Sequence, residues 1–353
     1  MIERKVGELK SSPIISRHPS NPIIDKVPYA EGLVYNGSVI KYEGRYVMTM
    51  RVDHADVAAH RLTGKTTAAL AFSDDGVRWE VCTQPCLDWQ DDEIQAVTDP
   101  RLMLVHGRPL LTIAVQTTHG MQTYLLSTVD FDKWELVSWM VPDNRDVVIF
   151  PRKFVASPKA PSTTLPPLAE RSRRVETEVY LRLERPFPTF GHGRREAFDV
   201  WIAESPDLVY WGRPRVLLDV EDVPYANDRL GAGTAPLRTE RGWLVLFHAV
   251  DGDRGRGKNG WEDRWTQRYT AGVMLLDLDD PRRVIGVSKS PLIVPEASYE
   301  VDGGYRNNIV FPCGAVVEDD GEVKIYYGAA DTCQCLAVAN VDDLVDFALS
   351  RHG

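Results

Sequence analysis

Six stretches of the chain set ionisable or amide side chains beside apolar runs. They are Val34-Tyr35-Asn36-Gly37-Ser38, Met50-Arg51-Val52-Asp53-His54, Val97-Thr98-Asp99-Pro100-Arg101, Phe150-Pro151-Arg152-Lys153 with Glu184-Arg185-Pro186, Gly231 to Pro236 with Leu246-Phe247-His248, and Arg306-Asn307-Asn308 with Ala329-Ala330-Asp331-Thr332. A carboxyl such as Asp99 can give or take a proton. Arginine, lysine and histidine can hold an anion, and the planar guanidinium fork grips two oxygens of a phosphate at once. Each stretch also has a plain structural reading. Asp-Pro commonly starts a turn, Arg152-Lys153 reads as a solvated pair, and His248 closes an apolar strand. Gly231–Gly233 lacks the lysine of a phosphate loop. Asp331 could cap a turn. The chemical reading gains weight only if the fold brings these stretches together.

The elements available to do so are strands. Short β-rich runs such as Leu33–Ile40, Tyr46–Val52, Thr67–Phe72, Leu110–Val115, Val179–Leu183, Trp243–Ala249 and Val323–Tyr327 alternate with Gly, Asp, Asn and Pro punctuation. Hairpin turns are expected at Glu43-Gly44, Arg241-Gly242 and Asp320-Gly321. A larger unit recurs: an apolar strand runs into a small polar segment that often ends in tryptophan. Ala71-Phe72-Ser73-Asp74-Asp75 leads to Trp79, Leu126-Ser127-Thr128-Val129-Asp130 to Trp134, and Ala203-Glu204-Ser205-Pro206-Asp207 to Trp211. Leu276-Asp277-Leu278-Asp279-Asp280 and Ala339-Asn340-Val341-Asp342-Asp343 repeat it without the tryptophan. Five such copies, with about four strands each, predict an all-β fold, a five-bladed β-propeller. A pair of β-sandwiches is the competing architecture. The propeller is expected to be one domain over residues 1–353, with an N-terminal arm over about 1–28 and a proline-rich, basic insertion over about 156–177. A propeller gathers residues from different blades at one mouth of its central channel, so scattered site residues are what it predicts.

Composition limits the partners. The 353 residues carry 41 Lys+Arg against 51 Asp+Glu, a net charge of −10. An acidic chain is a poor general nucleic-acid binder. No apolar run approaches a membrane span, and the first residues, MIERKVGELKSSPIIS, show no signal-peptide core. The five cysteines, Cys82, Cys86, Cys313, Cys333 and Cys335, are odd in number and sparse. A cytoplasmic setting without a disulfide framework is the simplest expectation, and no metal site is expected at Cys82 and Cys86.

One resemblance ties these stretches together. Asn36, Arg51-Val52-Asp53-His54, Asp99-Pro100-Arg101, Phe150-Pro151-Arg152-Lys153, Arg185-Pro186, Gly242-Trp243-Leu244, His248, Phe311-Pro312-Cys313-Gly314 and Tyr326 to Thr332 resemble glycoside hydrolase family 130. These are the β-mannoside phosphorylases and related β-mannosidases. The likeness runs over roughly residues 20–345. The family's five-bladed propeller agrees with the repeat count made from the residues alone.

The resemblance implies an inverting phosphorolysis of a β-mannoside by inorganic phosphate, giving α-mannose 1-phosphate. It implies Asp99 as the general acid, acting through a sugar hydroxyl. Arg152, Lys153, Arg185 and His248 would bind phosphate, and Asn36, Arg51, Asp53 and Asp331 would hold the mannose. Phosphate is then a co-substrate, and no metal or organic cofactor is needed. Inverting hydrolysis would need a second carboxyl about 6.5–9.5 Å from the acid, for which Asp228 and Glu262 are the nearest candidates. A phosphate dianion needs no such base. Acceptor-side stacking faces could come from His192, Tyr225, Trp261, Trp265 or Tyr269. Family members often form homo-oligomers, which extends that expectation to this chain. A sugar-binding propeller without catalysis is the reading from another class.

Overall fold

Consecutive β-rich runs pair with their chain neighbours into five antiparallel sheets. The structure is a computed structural model, and it describes residues 4–141, 143–157, 177–188, 198–256, 260–262 and 264–350. Blade 1 holds strands Gly32–Tyr42, Arg45–Asp56, Arg61–Ser73 and Glu80–Val81. Blade 2 holds Ile94–Val105, Arg108–Thr117, Gly120–Ser127 and Glu135–Trp139. Blade 3 holds Asn144–Ile149, Glu178–Pro186, Val200–Ser205 and Gly212–Leu218. Blade 4 holds Arg229–Ala232, Trp243–Gly252, Gln267–Leu276 and Val284–Val287. Blade 5 holds Val310–Val317, Glu322–Ala329 and Cys333–Asn340, and its fourth strand comes from the other end of the chain, Ser16–Arg17. The protein is a five-bladed β-propeller.

The repeated polar segment is the turn from third to fourth strand. Ser73 Oγ accepts from Gly76 N at 2.8 Å while Asp75 Oδ1 accepts from Val77 N and Arg78 N at 2.9 and 2.8 Å. Thr128 with Asp130, and Ser205 with Asp207, repeat the pattern. Short side chains that bond their own backbone are what such a turn needs. In the fifth copy Asn340 instead caps the helix Val341–Leu349, because the fourth strand of that blade is already supplied. The arm foreseen at residues 1–28 is thus partly a ring closure. Ser16 pairs with Val338 and Arg17 with Ala337, and the Arg17 fork donates to both oxygens of buried Glu300 at 2.8 Å. Only the two ends of the 156–177 insertion lie among the described residues, where Ala156 N donates to Thr177 O.

The core lies in layers between adjacent blades. Phe150, Phe154 and Trp243 pack edge to face between blades 3 and 4. Trp79 meets Tyr326 at 5.8 Å between blades 1 and 5. The innermost strands ring the channel, and most carry a bulge near the same end. Register shifts fall between Tyr35 and Ser38, Thr98 and Arg101, Arg145 and Val148, and Pro312 and Gly314. Asn36, Asp99 and Asp146 sit in these bulges with φ of 54°, 50° and 57°. Among non-glycine residues Asn and Asp adopt that left-handed conformation most readily. At the other end of these strands lies a cavity of about 300 Å³ lined by residues such as Ile40, Leu102, Leu104, Ile149, Pro236 and Val316. Among the described residues no helix is long and apolar enough to cross a membrane.

Candidate active site

The bulged ends of the inner strands meet the outgoing ends of the second strands at one mouth. Asp99, 4% exposed, accepts from Asn36 Nδ2 at 2.9 Å and lies 3.5 Å from Arg51 Nη1. Arg145 Nη2 donates to its other oxygen. Arg51 forks onto Asp53 at 2.7 and 2.9 Å, and the Tyr35 hydroxyl donates to Asp53 at 2.6 Å. Gly328 lies against Asn36, and a side chain there would strike the Asn36 amide. Asp331, at φ 48°, is 3.3 Å from Arg306 Nη1.

A second cluster adjoins the first through Arg145. Its Nε lies 3.9 Å from Asp146, which also faces Arg185 Nη1 at 3.1 Å, His248 Nε2 at 3.6 Å and Arg101 Nη2 at 3.8 Å. Arg185 and His248 are themselves 3.2 Å apart. His248 stacks on Phe311 and Tyr269, Arg101 covers Phe311, and Arg185 and Arg229 both lie over the ring of Phe198. Gly231 pairs with His248 across the sheet. A Cβ at Gly231 would overlap the imidazole and reach 2.5 Å from Asp146 Oδ2. That explains why a glycine stands there without any phosphate loop.

Charge follows from this packing. Burial opposes ionisation of Asp99, but Arg145, Arg51, Arg101 and the Asn36 amide outweigh it and hold the carboxyl well below the usual range. Asp146 is held low in the same way, chiefly by Arg185, with Arg145 and Arg101 adding, against its burial. Burial, reinforced by the surrounding guanidiniums, keeps His248 neutral despite Asp146. Burial raises Asp331, with Asp99 and Asp53 adding to it and Arg306 and Arg51 opposing. Buried polar atoms without a hydrogen-bond partner among the described residues gather here: Arg185 Nε, His248 Nδ1, Arg101 Nη1 and Nη2, and both oxygens of Asp146. Such atoms normally find partners, so the mouth is built for a polar ligand.

The family profile described as β-1,4-mannooligosaccharide phosphorylase, glycoside hydrolase family 130, matches residues 12–350. The chain belongs to glycoside hydrolase family 130. A β-1,2-mannobiose phosphorylase of Listeria innocua is 30% identical over 77% of this chain, the match covering 65% of the relative's own length. A β-1,4-mannooligosaccharide phosphorylase of Ruminococcus albus is 28% identical over 96% of this chain and 92% of its own. A solved structure of β-1,2-mannobiose phosphorylase from Listeria innocua, in complex with β-1,2-mannobiose, superposes with a TM-score of 0.73 at 24% identity, covering 95% of this chain and 99% of that one. This likeness shows the shared fold.

Within this family 130 propeller, Asn36, Arg51, Asp53, Asp99, Asp331, Arg185 and His248 come together at the mouth. Arg152 and Lys153 do not. Pro151 O accepts from His106 N, in the turn that follows the strand Ile94–Val105, at the end away from the Asp99 bulge. Arg152 then lies over Phe154 and Trp243 and donates to Leu278 O, and Lys153 sits over Tyr180 and donates to Pro206 O. They follow the inner strand Asn144–Ile149 out at the opposite face, and the cations the fold brings to the mouth beside Arg185 and His248 are Arg145 and Arg101. Arg145, Asp146 and Arg229 lie outside the stretches that the sequence pattern picks out, whereas Arg306 and Arg101 lie within them without a role of their own. Of the stacking candidates, Tyr225 is buried and bonded to Ser288, and His192 lies outside the described residues. Trp265 and Trp261 reach the mouth, flanking Arg306 and Tyr305 respectively. Asp228 is bound by Arg229 at 2.9 Å and Gln267 at 2.7 Å, and Glu262 is paired with Arg306.

Proposed function

We propose that the protein is an inverting β-mannoside phosphorylase that cleaves a β-mannosyl saccharide with inorganic phosphate and releases α-mannose 1-phosphate. One observation carries the reading: Arg145 joins the single acid candidate, Asp99, to a buried recess of Arg185, His248 and Arg101. Phosphorolysis needs one acid and one anion pocket. The carboxylates weighed as hydrolytic bases, Asp228 and Glu262, are both tied to cations. The phosphorylase names of the relatives support the same class of reaction.

In this reading Asn36, Arg51, Asp53 and Asp331 hold the mannose hydroxyls, and Arg145, Arg185 and His248, with Arg101 behind them, hold phosphate. A phosphate oxygen attacks C1 from the face opposite the leaving group. The C1–O bond to the leaving sugar breaks as the C1–O–P bond forms, and the leaving oxygen takes a proton from Asp99. Hydrogen phosphate supplies that proton in net terms, because the sugar phosphate ends as a dianion. Asp99 is ionised while the cations around it are unopposed. A phosphate dianion beside Arg145 and Arg101 offsets them and lets Asp99 hold the proton it must give. Phosphate thus serves as co-substrate and as the charge that arms the acid.

The test is product analysis on a panel of β-1,2- and β-1,4-mannosides with and without phosphate. Phosphate-dependent α-mannose 1-phosphate is the expected result, and the active substrate identifies the linkage and acceptor. Free mannose formed equally well without phosphate would replace the reading with hydrolysis.

A further inference from the structure

Asp146 is an odd residue to find in an anion pocket. Its side chain is fully buried, and it lies at the centre of the recess with Arg185, His248, Arg101 and Arg145 all within 3.1–3.9 Å. Yet neither of its oxygens accepts an aligned hydrogen bond from any described residue. A buried carboxylate ordinarily has its lone pairs filled by donors. Gly231 packs so closely against Asp146 Oδ2 and His248 that a Cβ there would clash, so that strand brings no side-chain donor to the carboxylate. Asp146 is a poor proton acceptor for water, since the cations hold it ionised. A role as hydrolytic base does not suit it.

An anion drawn into this recess by the guanidiniums meets a fixed negative charge with free acceptor lone pairs. A fully ionised tetrahedral anion such as sulfate can only be repelled by it. Hydrogen phosphate carries a P–O–H, which turns the same contact into a hydrogen bond to a charged acceptor. We propose that Asp146 accepts this hydrogen bond and so selects hydrogen phosphate, and equally hydrogen arsenate, over sulfate. The assignment rests on the phosphorolytic reading of the site. It makes Asp146 a specificity determinant that works by repelling the wrong anion as much as by holding the right one.

The experiment titrates phosphate and sulfate calorimetrically into the full chain, wild type and Asp146→Asn, with no sugar present. Turnover with phosphate, arsenate and added sulfate is followed separately. Wild type is expected to bind phosphate about 10- to 100-fold more tightly than sulfate, the span one hydrogen bond to a charged group provides. In Asp146→Asn the amide can donate to sulfate, so the preference should shrink by about 10-fold or more and sulfate should become a competitive inhibitor. Equal affinities in wild type, or an unchanged ratio in a variant whose circular dichroism is native, would overturn the assignment. The wild-type ratio decides alone if the variant does not fold. Selective phosphate binding without phosphate-dependent product would instead defeat the proposed reaction and leave the anion selectivity standing.

Discussion

The two ends of the propeller channel are made by the same five inner strands and differ in almost everything else. At one end the strands enter through bulges that place Asn36, Asp99 and Asp146 in left-handed backbone, and cations crowd around them. At the other end the same strands leave as regular ladder, lined by Ile40, Leu102, Leu104 and Ile149. Cations occur there too, but they are used up by the fold. Arg152 spreads over two aromatic rings, and Lys41 pairs with Glu318 at 2.8 Å. The difference lies in satisfaction rather than in composition. Among the described residues, unpartnered buried donors and acceptors cluster at the site end, whereas Arg152 and Lys41 at the far end are stacked or paired.

The largest effect should come from removing the acid. Asp99→Asn keeps the Asn36 contact and the size of the side chain but cannot deliver a proton. Turnover is expected to fall by about 10²- to 10⁴-fold with a native circular dichroism spectrum. Wild-type rates in that variant would remove Asp99 from the mechanism. Next in size is Arg185→Ala, which should raise the phosphate KM by about 10- to 100-fold while the sugar KM moves little. An equal rise in both would mean that the two clusters are one site without division of labour.

The coupling between the clusters gives a prediction about pH. Asp99 is held low and His248 is kept neutral when the recess is empty. A bound dianion favours the protonated form of both, so their pKa values rise on binding. A ligand that raises a pKa takes up protons as it binds, and its affinity falls as pH climbs through the raised value. At about pH 8, where phosphate is already the dianion, calorimetry in buffers of different ionisation enthalpy should show net proton uptake. Asp99→Asn should reduce it. Proton release, or no change, would separate the acid from the anion pocket.

Much of this arrangement was legible in the sequence once strands were counted. The recurring polar segments betrayed the blades because four of them close the turn from third to fourth strand with side chains that bond their own backbone, while the fifth starts a helix. The site residues obey a polarity rule that only the fold reveals. On first strands they precede the apolar run, as Asn36, Asp99 and Asp146 do. On second strands they follow it, as Arg51, Asp53, Arg185 and His248 do, with Asp331 just beyond its strand. Arg145-Asp146 and Arg152-Lys153 stand on either side of one apolar run, Val147–Phe150, of the same inner strand. Charge beside an apolar run looks alike at either end, so the sequence pattern alone does not separate Arg145-Asp146 from Arg152-Lys153. Arg145 precedes the apolar run of its inner strand as Asp99 does in the blade before, and that shared direction marks the site end. The ring-closing strand was hidden for another reason: Ser16–Arg17 is two residues long, and its partner Val338 lies at the far end of the chain.

The smallest expected effect is therefore the sharpest check on the two-ended view. Arg152→Ala combined with Lys153→Ala removes two positive charges from the protein, and both stood in the motif that suggested phosphate binding. If those charges act at the far face, the phosphate KM should stay within about twofold, because solvent and salt screen a charge many ångströms from the recess. Stability should still drop by about 1 kcal/mol, since the Arg152 guanidinium stacks on Phe154 and Trp243 and the Lys153 ammonium on Tyr180. Thermal unfolding and phosphate kinetics on the same preparation read the two effects apart. A lowered Tm with an unmoved KM places these cations in the scaffold. A phosphate KM raised as far as in Arg185→Ala would show that charge at the far end reaches the recess, and the contrast between the two mouths would fail.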